Sequence, residues 1–417
     1  MKVRQTVAVA VITTMAWLGP PANAQSPAWF RQFGTPGYDE AWNPLVVGTT
    51  LYVSGWTEGE LGEQTSLGGS DGFLAAYDLD GNALWTTQFG TDQDDRAWSL
   101  AYDGTGLYLT GTTEGTFPGQ TNAGGSDGFV AKFDLDGSLL WVTQFGTRRY
   151  DLSSNVAADA SGVYALGSTE GTFDGQTNAK LSDLFTARLD ADGTLDWVTQ
   201  FGSDGYDFPF VNAIGPDGIF VDGYTNGAVE GTNRGGWDAV VACLQADGSI
   251  TWIRQFGTKR NDQAYGLAAD PTAVYVTGNT SGGFRDQPDR GGTDAFARAL
   301  SPTDGSTIWT HQFGTPKDEV SYGALAMDGV LYAVGQTAGA FGDHVSTGND
   351  DGFVQAIDAA TGSKVWTEQF GTSRDDAAYS GWLDGTALYV AGVTFGSFEP
   401  GSRLGIGDAF VGRIDLP

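Results

Sequence analysis

Seven acidic side chains recur at one place in a repeat: Asp39, Asp95, Asp151, Asp207, Asp262, Glu319 and Asp376 each stand six residues after the Phe of a Gln-Phe-Gly motif. Carboxylate oxygens are what hard cations prefer, so a ring of them at a channel mouth would suit a hydrated Ca²⁺. The competing account is local, because Asp closes its own turn by accepting backbone N–H bonds. Three residues beyond each acid lie Trp42, Trp98, Ser154, Phe210, Tyr265, Tyr322 and Tyr379. Aromatic faces beside carboxylates stack on sugar C–H surfaces while the acids bond hydroxyls. Aromatic rings also fill the wedge between packed sheets.

Other recurrent polar positions read as structural. Asp71, Asp127, Asp183, Asp238, Asp294, Asp351 and Asp408 each open a strand, mostly after a Gly-rich turn, and are expected to cap it. Gln32, Gln88, Gln144, Gln200, Gln255, Gln312 and Gln369 are expected to tie neighbouring sheets together through amide bonds to backbone. There is no phosphate-cradling glycine motif and no nucleophile elbow. A glycan hydrolase or lyase would need two differentiated carboxylates at a set separation, and seven near-equivalent positions speak against that differentiation. No catalytic residue and no cofactor is assigned, Ca²⁺ being the one ion the acids would suit.

The positioning elements follow from the period. Trp29, Trp85, Trp141, Trp197, Trp252, Trp309 and Trp366 are spaced by 55 to 57 residues, a propeller-blade period. Each unit offers four strands, read in the second as Ala97–Asp103, Leu107–Thr112, Gly128–Asp134 and Leu139–Phe145. Length differences fall only in turns, such as the extra residue of Ser301-Pro-Thr-Asp-Gly305. The predicted fold is all-β, a seven-bladed propeller of four-stranded blades. The first Trp strand has no hairpin before it, and its missing half, Asp408–Pro417, ends the chain. The N-terminal strand is therefore expected to complete the C-terminal blade, with the Trp strands outermost and the strands after the acids innermost. The loops around Thr113–Ser126 should share a face with the acids and are the expected place for a partner.

Residues 1–24 read as a secretory signal: Lys2 and Arg4, an apolar run from Thr6 to Leu18, and the small-residue site Ala22-Asn23-Ala24. The expected mature chain, 25–417, is a single secreted propeller, periplasmic, extracellular or attached to a cell surface, and a monomer. Acidic residues number 51 against 21 basic, a net charge of −30. Such a surface repels phosphate backbones and anionic lipids, so nucleic-acid binding and membrane insertion are not expected. Cys243 has no partner for a disulfide and is expected to be a buried filler. With His311 and His344 as the only histidines, a His-rich zinc site is unavailable.

The unit Trp-x-x-Gln-Phe-Gly-Thr, with Leu-Tyr-x-x-Gly-x-Thr and Gly-Gly-Ser-Asp-Gly-Phe-Val-Ala-Lys-Phe-Asp as in Gly124–Asp134, resembles the bacterial seven-bladed beta-propeller repeat (SBBP) family. The likeness spans the mature chain. It implies an exported or surface protein with an adhesion or scaffold role and transfers no activity. Asp358-Ala-Ala-Thr-Gly362-Ser-Lys-Val-Trp366 also looks like the turn of quinoprotein repeats, and that likeness implies blade geometry alone. The functional expectation is a non-catalytic binding or scaffold module for a protein or a glycan, with a carbohydrate-active enzyme as the alternative.

Overall fold

The computed structural model describes residues 27–417. The expected signal segment, 1–24, lies outside the described residues. Strands alternate with turns throughout, and no helix occurs among the described residues. Seven antiparallel four-stranded sheets form a ring. Blades are numbered here from 1 to 7 along the chain, and strands a to d from the channel outward.

In blade 2 the strands are a Asp95–Tyr102, b Leu107–Thr113, c Asp127–Phe133 and d Leu139–Phe145, within two residues of the sequence reading. Strand c alternates faces, and its Phe129, Ala131 and Phe133 are fully buried. Blade 7 is the composite one. Its strands a Asp376–Leu383, b Ala387–Thr394 and c Asp408–Asp415 are completed by d Pro27–Phe33 from the other end of the chain. The register pairs Trp29 with Arg413 and Phe33 with Ala409. Phe30 stacks on Phe398 at 4.3 Å between ring centroids and meets Phe370 and Phe410.

The repeated Trp locks one blade to the next. Trp141 Nε1 donates to Ala191 O, Trp252 Nε1 to Pro302 O and Trp309 Nε1 to Ala359 O, each in the c–d hairpin of the following blade. The indole lies on that hairpin's glycine. At Gly137, φ is 83° and an added Cβ would stand 2.5 Å from Trp85, so this position needs glycine for its conformation and for its space.

The glutamines do something other than expected. Gln88 Nε2 donates to Gly59 O at 2.9 Å and Asp71 Oδ2 at 2.8 Å, while its Oε1 accepts from Leu61 N. All three partners belong to blade 1, which also contains Gln88. The amide thus pins the b–c loop of its own blade to strand d and does not cross between blades. A side chain on the outer strand reaches its own loop sooner than the neighbouring sheet.

Candidate functional site

The inner strands of all seven blades enclose a central channel of about 770 Å³. They are Asp39–Val47, Asp95–Tyr102, Asp151–Asp159, Asp207–Gly215, Asp262–Ala269, Glu319–Met327 and Asp376–Leu383. Alternation along each strand decides what faces the channel. In blade 2, Asp95 and Ala97 are buried in the wall while Arg96 and Trp98 are half-buried and line the lumen.

The acidic positions therefore do not form a channel mouth. Asp39, Asp95, Asp151, Asp207, Asp262, Glu319 and Asp376 are all at most 1% exposed. Each closes the turn before it. Asp95 Oδ2 accepts from Thr91 N at 2.5 Å and Thr91 Oγ1 at 2.8 Å, and the same pattern joins Thr147 to Asp151 and Thr372 to Asp376. Asp39 also accepts from Thr57 Oγ1. Burial raises every one of these carboxyls above its ordinary range, Asp207 and Asp376 to about 6. The reading of an exposed acidic ring is corrected to one of buried turn-closing acids. Among the described residues no group of three or more His, Cys, Asp or Glu side chains is placed to hold a metal ion.

The acids that open each strand c are capping groups as read. Asp71 Oδ2 accepts from Leu67 N at 2.8 Å and from Gln88. Its Oδ1 has no partner and, with Asp95 Oδ2, presses on Gly90, where an added Cβ would lie 2.7 and 2.8 Å from the two oxygens. The glycine of Gln-Phe-Gly is set by this pair of carboxylates.

The aromatic positions do face the lumen. Trp42, Trp98, Phe210, Tyr265, Tyr322 and Tyr379 all line it, half-buried. They touch in sequence around the ring: Trp98 to Trp42 at 5.1 Å, Trp42 stacked on Tyr379 at 4.3 Å, Tyr379 to Tyr322 at 5.5 Å, Tyr322 to Tyr265 at 5.5 Å, and Tyr265 to Phe210 at 4.5 Å. Ser154 in blade 3 breaks the collar. These rings bridge adjacent blades and also offer their remaining surface to the channel.

Two residues absent from the sequence reading complete the site. Glu40 is the only acid lining the lumen and Arg96 the only base, among the described residues. Four neutral donors converge on Glu40: Tyr38 and Tyr379 hydroxyls on Oε1 at 2.9 and 3.2 Å, and the Trp42 and Trp56 indoles on Oε2 at 2.8 and 3.1 Å. Arg96 lies over the Trp56 ring at 4.5 Å. The signal was available in the sequence as non-uniformity. The residue after each ring acid is Glu40, Arg96, Leu152, Phe208, Gln263, Val320 and Ala377, a position where every blade differs.

The opposite wall is built from blade 4. Phe208 contacts Tyr206, Tyr224 and Trp237, and Tyr224 reaches Phe210 and Tyr265 of the collar. A continuous aromatic surface thus runs from exposed Tyr206 into the lumen. The b–c loops share this end of the ring: Glu114 N bonds Asp94 O beside the start of strand a, and Gly125 N bonds Arg149 O of the next blade's turn.

The fold and this channel define the class of protein as a seven-bladed propeller with an aromatic-collared lumen. No family model matches the chain. It is similar to the regulatory protein FlaEY of Caulobacter vibrioides, with 26% identity over 327 residues, covering 74% of this chain and 30% of that protein. The chain thus spans less than a third of that relative's length. Among solved structures it resembles the Pan2 WD40 domain of Neurospora crassa, with a TM-score of 0.53 and 10% identity over 94% of this chain and 97% of that one. It also resembles the polysaccharide lyase Uly1, with a TM-score of 0.50 and 11% identity over 97% of this chain and 94% of that one. At such identities the likeness is one of fold.

Proposed function

We propose that this chain is an exported, non-catalytic binding module of the SBBP repeat type, and that it takes a glycan at the aromatic collar of its channel. The observation that carries the reading is the ring of six half-buried aromatic side chains lining a lumen of about 770 Å³. That size suits a small oligosaccharide, and rigid aromatic faces bind sugar rings at little conformational cost. Glu40, held by four donors, fixes the orientation of Trp42, Trp56 and Tyr379 and so keeps the stacking surface in place. The name of the relative from Caulobacter vibrioides, a regulatory protein, agrees with a role in binding.

A two-carboxylate hydrolase finds little support, since the lumen offers Glu40 alone and its oxygens are already engaged. The test is a titration of an oligosaccharide panel followed by tryptophan fluorescence and by the thermal transition. Binding should shift both, and Trp42→Ala with Trp98→Ala should abolish the shifts in a folded protein. Binding that survives both substitutions would overturn the reading.

A further inference from the structure

We propose that the sugar held in the channel carries a carboxylate, and that Arg96 reads it; this rests on the glycan reading above. Arg96 is the one cation of the lumen in a chain of net charge −30. A protein so acidic has carboxylates to spare for neutralising a basic side chain. Yet the ion pairs among the described residues leave Arg96 out. Its one hydrogen bond runs from Nε to Ser70 Oγ at a long 3.4 Å, so the outer nitrogens of the guanidinium make no bond to protein. Trp56 holds the guanidinium in place by stacking, 4.5 Å from its ring, and the same indole donates to Glu40. Trp56 therefore positions the cation while its Nε1 occupies the acid.

Trp98 stands two residues on, on the same face of the same strand, and lines the same lumen. An unpaired, pre-oriented guanidinium is a recognition group for a planar anion, because its fork matches two carboxylate oxygens. The collar surface left open to the lumen takes the sugar ring. A uronic acid unit presents both features in one residue.

The experiment is isothermal titration of the full mature chain with trigalacturonate, its methyl ester, and an otherwise neutral trisaccharide carrying one sulfate ester, at a single salt concentration. Trigalacturonate should bind more tightly than its ester by about ten- to a hundredfold, the range of a charge-assisted hydrogen-bond pair. Arg96→Gln should erase that difference by weakening trigalacturonate binding, and Arg96→Lys should restore part of it. Equal affinity for acid and ester, or a preference indifferent to Arg96→Gln, would overturn this inference and leave the glycan reading standing. Tighter binding of the sulfate ester would overturn the carboxylate assignment. Binding of none of the three would remove both.

Discussion

Tyr379, in the last blade, donates its hydroxyl to Glu40 Oε1 in the first, 3.2 Å away. The seam between the last blade and the first is thus also a wall of the candidate site. Trp42 stacks on Tyr379 across the same seam. Burial, aided by the charge of Glu40, holds the Tyr379 phenol well above its usual range, so it remains a donor at any ordinary pH. Ring closure and the shape of the collar are one structural event.

Glu40→Gln keeps the side chain's size but turns one acceptor into a donor facing two other donors. Loss of stability of about 1–3 kcal/mol is expected, with weaker glycan binding through disordered Trp42 and Tyr379. Urea denaturation checks the first and titration the second. An unchanged midpoint would mean that Glu40 does not organise the collar.

Closure itself is testable at Phe30, which stacks between Phe398, Phe370 and Phe410. Phe30→Ala should cost about 1.5–3 kcal/mol, and deletion of residues 27–33 should expose strand c of blade 7 and give an aggregating or unfolded chain. A deletion variant with the parent's melting curve would contradict the composite blade.

Gly90→Ala places a methyl group against Asp71 Oδ1 and Asp95 Oδ2. A loss of about 1–3 kcal/mol is expected, far more than for an ordinary Gly→Ala change in a turn. The equivalent glycines at 146, 202 and 257 stand between the same pairs of oxygens and should behave alike. Chemical denaturation of two such variants checks both statements.

Stability should fall as pH rises. Asp222 is fully buried, takes one hydrogen bond from Val211 N at 2.8 Å, and leaves Oδ2 without a partner. Burial pushes its carboxyl up to about 8, and that of Glu368 to about 7. A carboxyl raised on folding favours the folded state below its unfolded value near 4 and loses that contribution as pH climbs through the raised value. Melts from pH 5 to 9 should therefore show declining stability. Asp222→Asn, which keeps the acceptor for Val211, should flatten the decline between pH 6 and 8. A parallel profile in the variant would exclude Asp222 as its source.

The fold was legible because the repeat writes each blade out in full. The tryptophan spacing, the Asp-x-Asp-Gly hairpins and the orphaned first strand require a closed ring with the Trp strand outside. The collar was legible as a set of aromatic positions. Its orientation was not, since the repeat marks Asp95 and Trp98 alike while an odd spacing along the strand puts them on opposite faces. That geometry buries the acids and frees the aromatics. Glu40 and Arg96 carry no periodic signal, because an asymmetric site on a symmetric scaffold must lie at the positions that differ between blades. The inward turn of the glutamines depends on how far a b–c loop folds back, which the period does not encode.

The most direct measurement is a crystal structure of the mature chain soaked with a saturating uronate trisaccharide. The account predicts an ordered sugar in the channel, one ring stacked on Trp42 or Trp98 and a carboxylate on Arg96. Sugar bound only outside the channel, or a channel holding solvent alone at saturation, would contradict it.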